Sequence, residues 1–448
     1  MGRLPSLNFG CHESVIHIDL SFFLGGVRFG ASQREAGGAY QQQGEIAMSS
    51  GRILAVAILA AMAAVAASDV HAQTLTTLYT FMDGADGTLP QSGVIYQAGT
   101  LYGTATYGGV FDGTCNLGTD DNGCGVLFAV NATASGESVV HTFQGGADGA
   151  FPAGAPVYQS GKLYGATLAG GTGCGGGGCG TVYAINASTG VNTVLHAFNG
   201  TTEGGSPSGV IYQGGMLYGT NNSGGSAGAG TVFAINATTG AETTLYNFLG
   251  GTDPQYPYST LTYQGGFLYG TSNAGGTSLG TNCSVGCGTV FAINATTGAE
   301  TVLYRFTSGT DGAHPVSGVI YVSGTLYGAT GVGGNTKCVK FGCGTLYSIN
   351  PTTGAETVLY RFKGGTKGQD PGALTYEKGS LYGELGNNSA NYDGLFSFKI
   401  SKARLGVLYD FSGSVFPQGG LAYDGGTFYG TTAGASALAH GTLFSFLP

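Results

Sequence analysis

Charge is scarce in this chain. Only 9% of its 448 residues are Asp, Glu, Lys or Arg, against 42% apolar, which excludes a charge-rich disordered polypeptide and leaves ample material for a core. Basic residues are the scarcer sign, 15 against 24 acidic, for a net charge of −9. That balance lacks the footprint of a nucleic-acid binder or of a protein held on an anionic membrane surface. Long apolar runs are also missing: ILAVAILAAMAAVAA at 53–67 has 15 residues, short of the about 18 that a membrane span needs. No Gly-X-Y period runs through the 87 glycines, so the chain is not collagen-like. No serine or cysteine nucleophile stands in a recognisable catalytic motif.

What is present begins with that apolar run. Arg52 precedes it and a polar stretch ending Val70-His71-Ala72 comes after it, the grammar of a secretory signal. A signal peptide is predicted over 48–72, cleaved after Ala72, with no membrane span left in the mature chain. Residues 1–47 share nothing with the repeats of the remaining chain, and Met48 stands where a signal peptide would begin. They read as an extension upstream of the true start, a long targeting extension being the alternative. Removing residues 1–72 takes 4 of the Lys/Arg and 5 of the Asp/Glu, leaving a net charge of about −8, and discards only Cys11. The eight remaining cysteines lie in local pairs, as suits an exported protein.

From residue 73 onward the chain repeats. LYG recurs at Leu101, Leu163, Leu217, Leu268, Leu326 and Leu381, and as FYG at Phe428, at the spacing of propeller blades. A glycine-containing loop and a strand signature come after each copy, starting at Gly125, Gly180, Gly230, Gly288, Gly344, Gly394 and Gly441. Short extended runs such as GVIYQ precede LYG, and a fourth run such as LYRF closes each copy; all are rich in aromatic and β-branched residues. The first fourth-strand run, LYTF at 78–81, precedes the first full copy, and the chain ends three strands into its last one. The expected fold is therefore all-β: one seven-bladed β-propeller over 73–448, built of four-stranded antiparallel blades, with the N-terminal strand completing the last blade and closing the ring. Connections between first and second strands and between third and fourth are short, repetitive hairpins. The Asn-Ala-Thr/Ser triplets at Asn131, Asn186, Asn236 and Asn294 belong to the latter. The other two sets vary and emerge on one face, where a rigid scaffold usually displays function.

LYGT, a GG-containing loop, GTVFAIN, a hairpin and ETVLYRF together resemble the GloVer (Gloeo-Verruco) tandem repeat of bacterial surface proteins, over about residues 75–448. The resemblance implies a propeller in the bacterial envelope or exterior and no defined chemistry. Anchored members carry C-terminal sorting tails; this sequence departs from them, reaching Pro448 directly after a strand, so the resemblance does not by itself imply surface attachment.

The pairs Cys115/Cys124, Cys174/Cys179, Cys283/Cys287 and Cys338/Cys343 fall in loops between second and third strands. Each reads as a local disulfide of about 2 kcal/mol, since a metal site would need four ligands to converge from different blades. The same slot holds Ala229, Asp393 and His440 in other copies. Five residues after each fourth-strand Phe stand Asp86, Asp148, Glu203, Asp253 and Asp311, with Lys367 breaking the series, and a proline four residues later. They form either a ring attractive to Ca²⁺ or a cationic ligand or a set of turn residues; no other cofactor is expected. Glu384 departs from the Thr or Ala that other copies carry after LYG. It is a candidate acid/base with Asp370, Asp393 or His314, or else an exposed loop-edge residue. His141 and His196 replace a fourth-strand Tyr by drift of the repeat. Tyr107, Phe111, Tyr256, Tyr258 and Phe341 lie in variable loops and are candidates for stacking on a ligand.

These readings converge on an exported, monomeric binding or structural module, secreted, periplasmic or on the cell surface. Its expected partners are a glycan or another surface protein through the loop-rich face, and no nucleic acid. The competing reading is a glycan lyase or hydrolase with acidic residues of blades five to seven at the central opening.

Overall fold

The computed structural model describes the backbone of residues 7–46 apart from 12–13, 24–25 and 36–37. It further describes residues 73–448 apart from 83, 112–114, 116–122, 134–135, 277–282, 336–337, 339–341, 387–392, 412–414 and 435–439. The signal peptide expected at 48–72 lies outside the described residues. The chain divides into two units at Ala72. In the first, the strands Leu7–Cys11, Ser14–Phe23, Gly26–Glu35 and Gly38–Ile46 pair antiparallel in sequence order.

The second unit is the expected propeller. Blade 1 comprises Ile95–Gln97, Thr100–Ala105, Val126–Asn131 and Glu137–Thr142, paired antiparallel in that order. Blades 2 to 6 have the same plan, blade 5 having its first strand split into Ala313–Pro315 and Ile320–Val322. Blade 7 is built from both ends of the unit: Pro417–Asp424, Thr427–Thr432 and Thr442–Leu447 pair in turn, and Thr74–Thr80 adds to Thr442–Leu447 as the fourth strand. First strands neighbour first strands around the ring and line its inner side, while fourth strands form the outer edge.

The repeat motifs each have a packing reason. The Phe that ends a fourth strand meets the aromatic of the next blade's third strand at every junction: Phe81 with Phe128, Phe143 with Tyr183, Phe198 with Phe233, Phe248 with Phe291, Phe306 with Tyr347, Phe362 with Phe396 and Phe411 with Phe444. Their centroids are 4.9 to 5.6 Å apart. Such a pair adds about 0.5–1.5 kcal/mol to the gain from burying the rings. Nearer the axis the LYG tyrosine stacks on the first-strand tyrosine of the next blade. Tyr102 lies on Tyr158, Tyr164 on Tyr212, Tyr218 on Tyr263 and Tyr269 on Tyr321, and Tyr429 on Tyr96 closes the ring. The glycine of LYG leaves room for the third-strand ring: a Cβ on Gly165 would lie 2.2 Å from the Tyr183 hydroxyl, and one on Gly103 2.5 Å from Phe128 Cζ. In all seven blades the ladder between third and fourth strands shifts register just before that ring, for example between Leu127 and Phe128. These bulges supply the local twist that wraps each outer strand around its blade.

Candidate functional site

Each blade is entered through one residue with a left-handed backbone, placed directly before a proline. These residues are Leu89, Phe151, Ser206, Tyr256, His314, Asp370 and Phe416, with φ of 52°, 59°, 57°, 55°, 51°, 47° and 36°. Non-glycine residues pay about 1–2 kcal/mol for this conformation, and a proline in the next position restricts them further. What holds six of them is a backbone hydrogen bond to the preceding blade, while the Phe416 amide bonds the Asp393 carboxylate. Leu89 N–H donates to the His440 carbonyl at 3.0 Å, Phe151 to Cys124 at 2.9 Å, Ser206 to Cys179 at 2.8 Å, Tyr256 to Ala229 at 3.0 Å, His314 to Cys287 at 2.8 Å and Asp370 to Cys343 at 3.0 Å. The bond joins the end of one blade's loop between second and third strands to the start of the next blade's inner strand. The seven side chains thus stand in a ring where the loop-rich face meets the inner strands. Phe151 is buried and the other six are partly exposed. Backbone geometry is kept seven times over while the side chain changes.

Tyr256, His314 and Asp370, which sequence reasoning took from unrelated contexts, fall in this one slot at the entries of blades 4, 5 and 6. The signal for the slot was the run of prolines from Pro90 to Pro417, read there as turn residues without attention to the residue before each. His314 is held by Nδ1 at 2.8 Å from the Asn273 carbonyl, with Nε2 3.9 Å from Cys283 Sγ. Tyr258, two residues after Tyr256, is 59% exposed. Phe111 is 47% exposed, while Tyr107 packs edge-on against Phe151 at 5.6 Å. Phe341 lies outside the described residues.

Glu384 is not at an exposed loop edge: it is 1% exposed. Its Oε2 accepts the Gly420 amide at 3.1 Å across the junction of blades 6 and 7, and its Oε1 is buried without a hydrogen-bond partner. Burial pushes its pKa up to about 8, with the Gly420 hydrogen bond pulling the other way, so the group is largely a neutral acid at pH 7. Asp370 is joined to the same strand, its carbonyl accepting the Gly386 amide at 3.2 Å. Asp393 is buried and accepts the Val415 amide at 3.0 Å; burial raises its pKa against that bond and one from Phe416. His314 sits between blades 4 and 5 and Glu384 between blades 6 and 7, so the two do not share a site.

The five repeating carboxylates lie at the ends of the outer strands, and each is engaged by its own turn. Asp86 accepts from Tyr79 Oη and Met82 N–H, both at 2.8 Å. Asp253 accepts from Tyr246 Oη at 3.2 Å and Leu249 N–H at 2.7 Å, and Asp311 from Tyr304 Oη at 3.2 Å and Thr307 N–H at 2.8 Å. Asp148 and Glu203 meet His141 and His196, at 3.0 and 3.2 Å. Burial pushes Asp148 up, but bonds from His141, Asn192 and the Gln144 amide outweigh it and leave its pKa below the ordinary value. Sequence reasoning missed the partners of this series, the residues that open the next blade's fourth strand. Burial first and the facing Asp second push Glu137, Glu300 and Glu356 up to about 7.

The four cysteine pairs are disulfides, with Cα–Cα separations of 4.9 to 5.4 Å. The later cysteine of each supplies the carbonyl that holds a left-handed residue, so the bridges stiffen the base of the ring. No helix among the described residues is long and apolar enough to cross a membrane.

Closed by seven blades, with a ring of differing side chains on a constant backbone at the blade entries, the second unit is a seven-bladed β-propeller. The chain belongs to the Gloeobacter/Verrucomicrobia repeat family, whose model matches residues 111–283 and 279–448. No curated protein matches it in sequence. Among solved structures it resembles an ulvan lyase of a polysaccharide lyase family bound to -[GlcA(1-4)Rha3S]-, at 8% identity over 83% of this chain and 95% of that one, TM-score 0.53. It also resembles an oligogalacturonate lyase from Vibrio parahaemolyticus, at 9% identity over 85% and 94%, TM-score 0.51. A third, an oligogalacturonate lyase in complex with manganese, matches at 11% identity over 84% and 93%, TM-score 0.50. At such identities the likeness is one of fold.

Proposed function

We propose that this chain is an exported, non-catalytic binding module that engages a glycan or a protein of the bacterial envelope or exterior through its loop-rich mouth. The observation that carries this reading is the slot of seven left-handed residues, where a costly backbone is constant and the side chain is free to vary. At blades 4 to 6 the slot offers Tyr256, His314 and Asp370, and Tyr258, two residues after Tyr256, is exposed. Aromatic faces for stacking next to polar groups that fix orientation are what a sugar surface requires. Export is supported by the apolar segment at 53–67 and by four disulfides, which persist in oxidising compartments. The rival acid–base reading asks Glu384 to meet substrate, but its side chain is sealed between Gly372 and Gly420.

The test is a glycan-array screen of the purified protein, with Ca²⁺ and with chelator, and then product analysis of each hit. Selective binding that Tyr256→Ala and His314→Ala abolish at unchanged Tm is expected. Cleaved product would overturn the non-catalytic reading, and binding indifferent to both variants would move the site away from the mouth.

A further inference from the structure

Around the outer edge each blade junction brings three positions together. One is the fourth-strand residue two before the terminal Phe, the second is the carboxylate beyond that Phe, and the third opens the fourth strand of the next blade. At three junctions the set is Tyr-Asp-Glu: Tyr79, Asp86 and Glu137; Tyr246, Asp253 and Glu300; Tyr304, Asp311 and Glu356. The phenols donate to the Asp and are pushed upward in pKa by burial and by that charge, so they stay protonated and are poor metal ligands. Between blades 2 and 3 the set differs in two of its three members. His196 replaces the Tyr, and Glu203, with its longer arm, replaces the Asp facing Glu242. Ligand atoms of His196, Glu203 and Glu242 all lie within 4.8 Å of one another.

We propose that His196, Glu203 and Glu242 form a divalent transition-metal site that ties blade 2 to blade 3. The junction of blades 1 and 2 is the internal comparison. His141 holds Asp148 there in the same way, at 3.0 Å, but the third position is Asn192, whose Nδ2 donates to Asp148 Oδ1 at 2.7 Å. A neutral amide closes that junction by hydrogen bonds. In the junction of blades 2 and 3 a second carboxylate stands where the amide would be: Glu242 Oε1 accepts the Thr244 hydroxyl at 3.0 Å and Glu203 Oε2 the Asn199 amide at 3.2 Å, and the two acidic groups converge with the imidazole without an amide between them. A dication satisfies all three.

The donor set also fixes the kind of ion. An imidazole nitrogen with two carboxylates suits Zn²⁺, Mn²⁺ or Co²⁺ and disfavours Ca²⁺ and Mg²⁺, which take all-oxygen shells. Three protein ligands that are each partly exposed leave room for water to complete the coordination. His196 Nε2 now lies 3.2 Å from Glu203 Oε2. To ligate, Nε2 must present its lone pair to the ion, with the ring proton carried on Nδ1. The ligands come from the fourth strand of blade 2, the loop after it and the fourth strand of blade 3, so the ion would staple two outer strands that otherwise meet through side chains.

The experiment is titration of chelator-treated protein with Zn²⁺ by calorimetry and thermal melting, with Co²⁺ absorption as a readout of ligand type. One equivalent of Zn²⁺ and a rise of several degrees in Tm are expected, with Ca²⁺ inert. His196→Tyr restores the residue that blades 3 to 7 carry in this slot, and Glu242→Asn restores that of blade 2, so both variants should fold. Each should weaken Zn²⁺ binding at least tenfold and remove the Co²⁺ band. Failure of the wild type to bind Zn²⁺, or binding that survives unchanged in both variants, overturns the proposal.

Discussion

Glu384 Oε2 takes a hydrogen bond from the Gly420 amide at 3.1 Å across one blade junction, where in the next blade Thr431 gives its hydroxyl to the Ser92 carbonyl at 3.0 Å across the adjoining one. The two residues hold the same slot after LYG and make the same link with opposite polarity. Thr104 donates to Gly154, Thr220 to Pro257 and Thr271 to Ser317, each again a carbonyl of the next blade. The slot is thus a rivet between neighbouring inner strands, and the carboxyl at Glu384 is a variant of it. Blades 2 and 5, which carry Ala166 and Ala329 there, are also the two with Tyr183 and Tyr347 in place of a third-strand Phe, so slot and ring vary together.

Burial of Glu384 makes stability fall with rising pH. Its pKa is about 8 in the folded protein against 4.5 for the free side chain. Between those values the folded state holds more protons than the unfolded one, so the free energy of unfolding declines, by at most about 1.4 kcal/mol per pH unit. Glu384→Thr should flatten this decline and raise Tm at pH 9, though Gly420 then offers an amide and no carbonyl to the hydroxyl. A Tm profile unchanged between wild type and variant from pH 5 to 9 would show that Glu384 does not titrate in this range.

The outer Glu residues add to the same trend. Glu137, Glu300 and Glu356, raised to about 7 by burial and by Asp86, Asp253 and Asp311, keep their protons longer in the folded state. Stability is therefore lost as pH climbs from about 4.5 through about 7. Each side chain is half reached by solvent, so a discounted contribution on the order of 1 kcal/mol is appropriate. The triple variant Glu137→Gln, Glu300→Gln, Glu356→Gln should gain stability over wild type at pH 8 and match it at pH 4.5, read from urea midpoints. A gain of equal size at both pH values would point to packing and away from charge.

Blade number, ring closure and disulfide pairing were legible because each is written several times over: LYG, the terminal Phe and the cysteine slot recur at fixed offsets, and repetition separates scaffold from accident. The left-handed ring was not, because its defining property is a backbone angle. Leu89, Phe151, Ser206, Tyr256, His314, Asp370 and Phe416 share no side-chain chemistry, and only the proline after each betrays the slot. Glu384 was legible as an exception but not in its burial, which depends on Gly372 and Gly420 closing over it from two strands. The pairing of Glu203 with Glu242 depends on two blades meeting at their outer edges, a contact that no spacing within one repeat reveals.

The ring should accept foreign side chains. Tyr256 and Ser206 have φ of 55° and 57° and bonds of the same kind to the preceding blade. Ser206→Tyr should therefore leave Tm within about 2 °C of wild type, whereas Ser206→Gly should raise stability by about 0.5–1 kcal/mol by relieving the left-handed strain. Chemical denaturation of both variants reads this directly. A large loss on Ser206→Tyr would mean that the slot selects its residue and is not a display position.

Disulfide removal separates stiffness from geometry. Ala229 occupies the cysteine slot of blade 3, yet its carbonyl accepts the Tyr256 amide at 3.0 Å, as the Cys179 carbonyl accepts Ser206 at 2.8 Å. The hydrogen bond that holds the ring therefore needs the backbone and not the sulfur. Cys174→Ala with Cys179→Ala should cost about 2 kcal/mol through the freed unfolded chain, which lowers Tm by a few degrees in a domain of this size. Any ligand identified for the mouth should still bind the variant below its melting range. If binding is lost while the fold persists, the bridge positions the Ser206 entry directly, and the other three bridges would then be expected to set the Phe151, His314 and Asp370 entries in the same way.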